Sequence, residues 1–356
     1  MPRCFLFKPD GIGDFFLSSG TIRFLAREFG EENLTIAALP VMGPVALGQF
    51  PKAHFVPLPI RKKRVLLNVF VANCVRCFPV WMGILKDRQD LAISLRHMRD
   101  YLMNVLFYSV RSPRHLVCDN QLLGNGRPVR RWTEKVFTAL FRPEEIPYPP
   151  CQDGVPKELE VNRRLVSRAL GREVLLHEVW PELRRVGESP IDGEYWVCAP
   201  FANGGGKDYP AEKWSELFSL LEKEEAIPKL ILTGSPDQGI RLEGFARHIT
   251  RITPGMASRI SVIHPPDLQQ FIDLLAGAAL VLTVDTAAAH ASTALDMPTV
   301  VLFSGQHHGT YGPWIRSASQ RWIHPEEKYL GTAQWHQDIS PGTVSPIVRE
   351  ILKPRA

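Results

Sequence analysis

Two doubly wound α/β domains in tandem are what this 356-residue sequence predicts, on three observations. Short apolar runs alternate with helix-length amphipathic stretches along the whole chain, the pattern of parallel sheets covered by helices. The length is comfortable for two domains and long for one. A stretch rich in charge, proline and glycine at 179–194 interrupts the alternation and reads as a linker. The domains are therefore expected at 1–178 and 195–342, with the C-terminal helix at 343–356 open to packing back on the first.

In the first half the apolar runs Cys4–Phe7, Leu34–Ala38, His54–Pro57, Leu91–Leu95 and His115–Cys118 are of strand length and bounded by turn residues. Helices are expected at Phe15–Phe29, Met98–Ser109 and Pro156–Leu170. The second half repeats the pattern, with strands at Tyr195–Pro200, Lys229–Thr233, Ile260–Ile263, Leu280–Val284 and Thr299–Phe303. Its helices are expected at Ala211–Glu224, Gly239–Arg247, Asp267–Ala276 and Ala287–Leu295. A last helix, Val344–Leu352, follows a Trp- and His-containing segment that shows no strand pattern.

Composition narrows the function classes. Hydrophobic residues at 45% and charged residues at 22% describe a globular chain, neither disordered nor fibrous. The N-terminus meets Lys8 and Asp10 before any apolar run of secretory-signal length, so a cytoplasmic protein is expected. Its six scattered cysteines read as reduced thiols, and the lone Cys74-x-x-Cys77 lacks the second pair a zinc site wants. The net charge of +5 is uneven, because basic residues outnumber acidic ones between Arg61 and Arg142. Arg61-Lys62-Lys63-Arg64 opens that region, and an apolar segment interrupted by Arg76 and Pro79 follows. Neither half reaches the ~20 apolar residues of a spanning helix. A basic cluster beside such a stretch suits a peripheral contact with an anionic membrane face, and equally a core helix with a solvated start. Without a helix-turn-helix, finger or RNP-like pattern, nucleic acid is not an expected partner.

The most informative stretch is Val284-Asp285-Thr286-Ala287-Ala288-Ala289-His290. A strand ends in Asp-Thr and a small-residue helix starts at once. The free N–H groups of that helix then stand at the carboxyl edge of a sheet, where α/β proteins hold phosphates. Ala287 and Ala288 keep the turn uncluttered, and His290 lies one turn beyond Thr286 on the same face. Taken alone, the segment favours an ordinary βαβ unit with a capping Asp285 or Thr286. Three further strand ends change that balance. Lys8-Pro9-Asp10-Gly11-Ile12-Gly13-Asp14 leads from the first strand into a helix. It is no dinucleotide fingerprint, since Phe16 stands where a third glycine belongs. Asp14 there is either a helix cap or a carboxylate able to take a proton from a hydroxyl. Gly204-Gly205-Gly206-Lys207 offers a cation on a loop, suited to the diphosphate of a nucleotide-sugar. Gly234-Ser235-Pro236-Asp237-Gln238 ends another strand, where it could line a nucleoside pocket. The adjacent His307 and His308 point apart and do not chelate one metal. No Asp-x-Asp occurs anywhere, which removes the usual way of holding a divalent cation against a diphosphate.

In order, these elements resemble glycosyltransferase family 9, the ADP-heptose:lipopolysaccharide heptosyltransferases. The resemblance is carried by Lys8-x-Asp10-x-Ile12-Gly13-Asp14 with Thr21-Ile22-Arg23-Phe24-Leu25, by Lys207 with Trp214, and by Gly234-Ser235-Pro236-Asp237. Asp285-Thr286-Ala287-Ala288-Ala289-His290, Ala294-Leu295-Asp296-Met297-Pro298 and Tyr311-Gly312-Pro313-Trp314 complete it. It implies a GT-B fold, two Rossmann-like domains facing a central cleft, acceptor on the first and donor on the second. It implies inverting, metal-independent transfer of a heptose-type sugar to a lipopolysaccharide core or related glycan, with no cofactor. Asp14 would be the base, and Lys207, Gly234, Asp237, Gln238, Asp285, Thr286, Ala287 and His290 would bind the donor. Arg61, Lys62, Lys63 and Arg64 would meet acceptor or membrane. The chain departs from the family in two places. Ala287 stands where glycine usual follows Asp-Thr, and Gly20 stands where proline is usual. The alternatives are another donor sugar or a non-lipid acceptor on the same fold, or a non-catalytic assembly protein. An epimerase or dehydrogenase would need the missing glycine fingerprint.

Overall fold

The computed structural model describes residues 1–60, 67–99, 101–119, 128–150, 154–204, 206–224 and 227–353. Contacts divide the chain into two units, Met1–Cys151 with Lys157–Pro181, and Gln152–Pro156 with Glu182–Ala356. In the first, β1 (Cys4–Lys8), β2 (Leu34–Ala38), β3 (His54–Pro57), β4 (Leu91–Ser94), β5 (His115–Cys118) and β6 (Glu144–Ile146) form one sheet. Every pairing is parallel and the order is β3-β2-β1-β4-β5-β6. The helices are α1 (Ile12–Leu17), α2 (Ser19–Phe29), α3 (Gly43–Gln49), α4 (Leu67–Lys86), α5 (Tyr101–Tyr108), α6 (Pro128–Phe141) and α7 (Lys157–Leu170).

The second unit repeats the arrangement. Its strands are β7 (Tyr195–Ala199), β8 (Lys229–Thr233), β9 (Ile260–Ile263), β10 (Leu280–Val284), β11 (Thr299–Leu302) and β12 (Gln320–Ile323). They pair in parallel in the order β12-β11-β10-β7-β8-β9. Its helices are α8 (Ala211–Glu224), α9 (Gly239–Ile252), α10 (Leu268–Ala276), α11 (Ala287–Ala294) and α12 (Pro341–Leu352). In each sheet the strand order reverses once, between β1 and β4 and between β7 and β10. Such a reversal leaves a crevice beyond the strands' carboxyl ends, where doubly wound proteins bind ligands.

The central strands are buried along their whole length, β1, β4, β7 and β10 among them. Helices cover both faces, which is why their sequences are continuously apolar rather than alternating. One core packs Phe7, Phe107 and Val117; the other packs Trp214, Phe218, Leu230, Leu282 and Val300. The last helix, left open between the two domains by the sequence, sends Val344 and Val348 into this second core against α8.

Several elements differ from the expectation, and α3 and α6 were not among the helices expected. The helix expected over Phe15–Phe29 is two, joined at Ser18. Its hydroxyl donates to the Asp14 carbonyl at 3.2 Å, and that of Ser19 to the Phe16 carbonyl at 2.6 Å, competing with the helical ladder. Two edge strands, β6 and β12, carry no apolar run, because an edge position does not demand one; β12 lies in the segment read as strandless. The apolar segment after residue 64 is α4, with Cys77 and Ile84 in the core and Val75, Phe78 and Met82 exposed. Among the described residues no helix is long and apolar enough to cross a membrane.

Candidate functional site

Each crevice holds a charged cluster. In the first unit β1 ends in Lys8, and the chain turns through Asp10 into α1. Gly11 caps that helix, its N–H donating to the Asp14 carboxylate at 2.9 Å. Asp14 therefore performs the capping duty the sequence allowed, one turn inside the helix. Its half-buried carboxyl is pushed up to about 6 by burial first and then by Asp10, with Lys8 pulling the other way. Lys8 is 1% exposed; its Nζ lies 3.1 Å from Asp10, donates to the Leu95 carbonyl at 2.9 Å, and pairs with Glu158 at the start of α7. Arg96, on the loop after β4, pairs with the other Asp10 oxygen. His97 Nδ1 stands 2.8 Å from Glu158 Oε2. Burial alone would raise the Glu158 carboxyl, but Lys8 and His97 outweigh it and hold it down at about 2.

In the second unit the loop after β7 faces the start of α11 across the β7–β10 reversal. Lys207 Nζ lies 2.7 Å from Asp285 Oδ2, with the lysine 17% and the aspartate 6% exposed. Thr286 caps α11, its hydroxyl accepting from the Ala288 N–H at 3.2 Å, and the half-buried Ala287 is the first helical residue. The remaining N–H groups of that turn face the crevice edge without a helical partner. His290 is buried one turn later. Its Nδ1 accepts from the Trp314 indole at 3.1 Å, so its proton sits on Nε2. Burial brings its pKa down to about 4 and keeps the ring neutral, outweighing the upward pull of Asp285, with Lys207 adding a smaller downward push.

The segment after β8 joins the same loop. Gln238 accepts from the Ser235 N–H at 3.1 Å and donates to Asn203 at 3.2 Å. A Cβ on Gly234 would lie 2.3 Å from the Gln238 Oε1, so glycine permits this turn. Asp237 is exposed beside it. Lys207, Asp285, Thr286, Ala287 and His290 are thus brought together, with Gly234 and Gln238 linked to them through Asn203. Asp14 lies in the first unit, and Arg61, Lys62, Lys63 and Arg64 lie outside the described residues.

Several site residues carried no sequence signal of their role. Asp10, Arg96, His97 and Glu158 surround Lys8, and Glu158 is 150 positions away from it. His307, considered above only as a metal ligand, is lowered by burial and then by Lys207, which places it near the Lys207–Asp285 pair. Among the described residues no group of three or more His, Cys, Asp or Glu is arranged to hold a metal.

Comparisons with known proteins bear on the family and the fold. Residues 130–333 match the model of glycosyltransferase family 9 (heptosyltransferase). Over 124 residues the chain is 31% identical to lipopolysaccharide heptosyltransferase 1 of Escherichia coli strain K12, covering 35% of this chain and 36% of that protein. The match thus spans about a third of the length of that relative. The fold is similar to that of E. coli ADP-heptose lipopolysaccharide heptosyltransferase II, with a TM-score of 0.70 at 18% identity over 98% of both chains. It is also similar to E. coli heptosyltransferase WaaC with ADP-2-deoxy-2-fluoro heptose, with a TM-score of 0.67 at 15% identity over 98% of this chain and 99% of that one. Both sheets, fully parallel and doubly wound, are of the GT-B type those structures share. With the family model covering more than half of its length, this chain belongs to glycosyltransferase family 9.

Proposed function

We propose that the protein is an inverting, metal-independent glycosyltransferase that moves a heptose-type sugar from ADP-heptose to a lipopolysaccharide core or related glycan. The observation that carries this reading is the Lys207–Asp285 ion pair beside the open first turn of α11 at a strand-order reversal. A lysine and a helix N-terminus together suit a diphosphate, and a buried carboxylate beside them suits sugar hydroxyls. The E. coli relative with ADP-2-deoxy-2-fluoro heptose supports the choice of donor.

In this reading Asp14 accepts the proton of an acceptor hydroxyl as its oxygen attacks the anomeric carbon from the face opposite the diphosphate. The bond from that carbon to the diphosphate oxygen breaks, and ADP leaves with the electron pair. Lys207 and the α11 amides neutralise the charge that develops, the task a divalent cation performs elsewhere. His290, neutral and held by Trp314, supports the turn. The acceptor side is cationic in sequence, and Arg61, Lys62, Lys63 and Arg64 are proposed to meet an acidic acceptor or an anionic membrane face. A cytoplasmic location is part of the same proposal, since the scattered cysteines suit reduced thiols.

The deciding experiment is a transfer assay with a panel of nucleotide-sugars and a heptose-accepting core glycan, with the product's anomeric configuration read by NMR. ADP-heptose should be preferred and the configuration inverted. Turnover of another donor, or retained configuration, would replace this reading.

A further inference from the structure

The cluster beneath Asp14 combines three carboxylates, Asp10, Asp14 and Glu158, with two cations, Lys8 and Arg96. An ammonium has three protons to give. Those of Lys8 are directed to the Leu95 carbonyl, to Glu158 and to Asp10. Arg96 takes the other oxygen of Asp10, and His97 stands against the other oxygen of Glu158. Asp14 receives the Gly11 N–H and has no ion pair within 4 Å among the described residues. The groups facing it come from each packed element: Lys8 from β1, Asp10 from the loop that follows, and Glu158 from α7. Arg96 and His97 stand behind them on the loop after β4.

We propose that Glu158 is a positioning residue for the transfer reaction: its buried ion pair holds Lys8 away from Asp14, leaving Asp14 as the surplus carboxylate of the cluster and therefore basic. This rests on Asp14 being the general base. The two permanent cations, Lys8 and Arg96, match two carboxylates, His97 faces Glu158 rather than Asp14, and a third carboxylate in the same low-dielectric pocket resists ionisation. The pKa values agree, with Asp14 pushed up to about 6 and Glu158 held at about 2. Environments that drive two carboxyl groups apart assign one to proton transfer and the other to a fixed charge. Glu158 does this from α7, 150 residues beyond Lys8 in sequence.

Glu158→Gln keeps the shape and the acceptor but removes the charge. Lys8 is then shared between Asp10 and Asp14, and Asp14 becomes less basic. Titration of carboxyl-labelled aspartates by carbon NMR, with Asp14 assigned by its loss in Asp14→Asn, reads this without any substrate. The Asp14 midpoint should fall by about one to two pH units in Glu158→Gln and stay near the wild-type value in Glu158→Asp. The acid limb of kcat/KM should move down with it, and transfer at pH 8 should fall by about threefold to tenfold as the base weakens. An Asp14 midpoint equal in Glu158→Gln and wild type overturns the proposal. Should Glu158→Gln fail to fold, the wild type decides: Asp14 titrating near ~4, the ordinary aspartate value, overturns it, and a midpoint near 6 supports it. If the midpoints behave as expected but no nucleotide-sugar is turned over, the network stands and the assigned reaction fails. Turnover with an acid limb unmoved in Glu158→Gln is the converse.

Discussion

Asp14 and Lys207 carry the two halves of the proposed chemistry, and each can be removed with little change of shape. Asp14→Asn keeps an oxygen for the Gly11 N–H but cannot accept a proton, so transfer should drop by about 10²-fold or more while donor binding persists. Near-normal turnover would return Asp14 to a helix cap. Because only the ionised form is a base, wild-type transfer should fall as pH drops through about 6 and level off above it. A limb at the ordinary aspartate value would contradict the environment described for this carboxyl. At the other cluster, Lys207→Ala should weaken donor use severely and also leave the buried Asp285 without its cation, a loss of about 3–5 kcal/mol when such a pair is broken on one side. Transfer should be unaffected by EDTA, since Lys207 and the α11 turn are taken to stabilise the leaving diphosphate. An absolute requirement for magnesium or manganese would refute that assignment.

Among the elements, α2 shows how a family departure is accommodated. A Cβ at Gly20 would stand 1.9 Å from the Trp180 carbonyl oxygen and 2.7 Å from that of Val179. The chain entering the second unit therefore crosses α2 where only a glycine fits, and the proline usual in the family at this position has no room. Gly20→Ala should force the segments apart and cost about 3 kcal/mol or more, above the ordinary range for an added methyl because the obstacle is backbone. A lower urea midpoint with an unchanged slope would register it. An unshifted midpoint would mean that the crossing is loose. The α11 turn is the opposite case. Ala287 is accommodated there as the first helical residue, with the Thr286 cap intact.

For the whole molecule, the uneven charge offers a test of whether the proposed acceptor is lipid-linked. Arg61, Lys62, Lys63 and Arg64 precede α4, whose outward face presents Val75, Phe78 and Met82. Each basic residue near an anionic surface contributes about 1 kcal/mol, screened by salt. Wild-type protein should bind anionic liposomes at low ionic strength and release them at high, and a variant with the four basic residues changed to Ser should bind weakly throughout. Equal binding by both proteins, or none by either, would make the cluster a solvated face and a soluble glycan the better acceptor.

The alternation of apolar runs and amphipathic stretches was enough to determine the fold class and the central strands, because a strand buried on both faces must be apolar throughout. The capped turn at the start of α11 was legible for a related reason, since Asp285, Thr286 and His290 are neighbours in sequence and the chemistry of a helix start is local. Edge strands β6 and β12 were not, as an edge imposes no hydrophobic pattern. Nor was the environment of Asp14. Lys8, Arg96, His97 and Glu158 meet only when the sheet order brings β1 beside β4 and the start of α7 reaches the end of β1. A carboxylate's proton affinity depends on which charges stand within a few ångströms, and those distances belong to the tertiary structure alone.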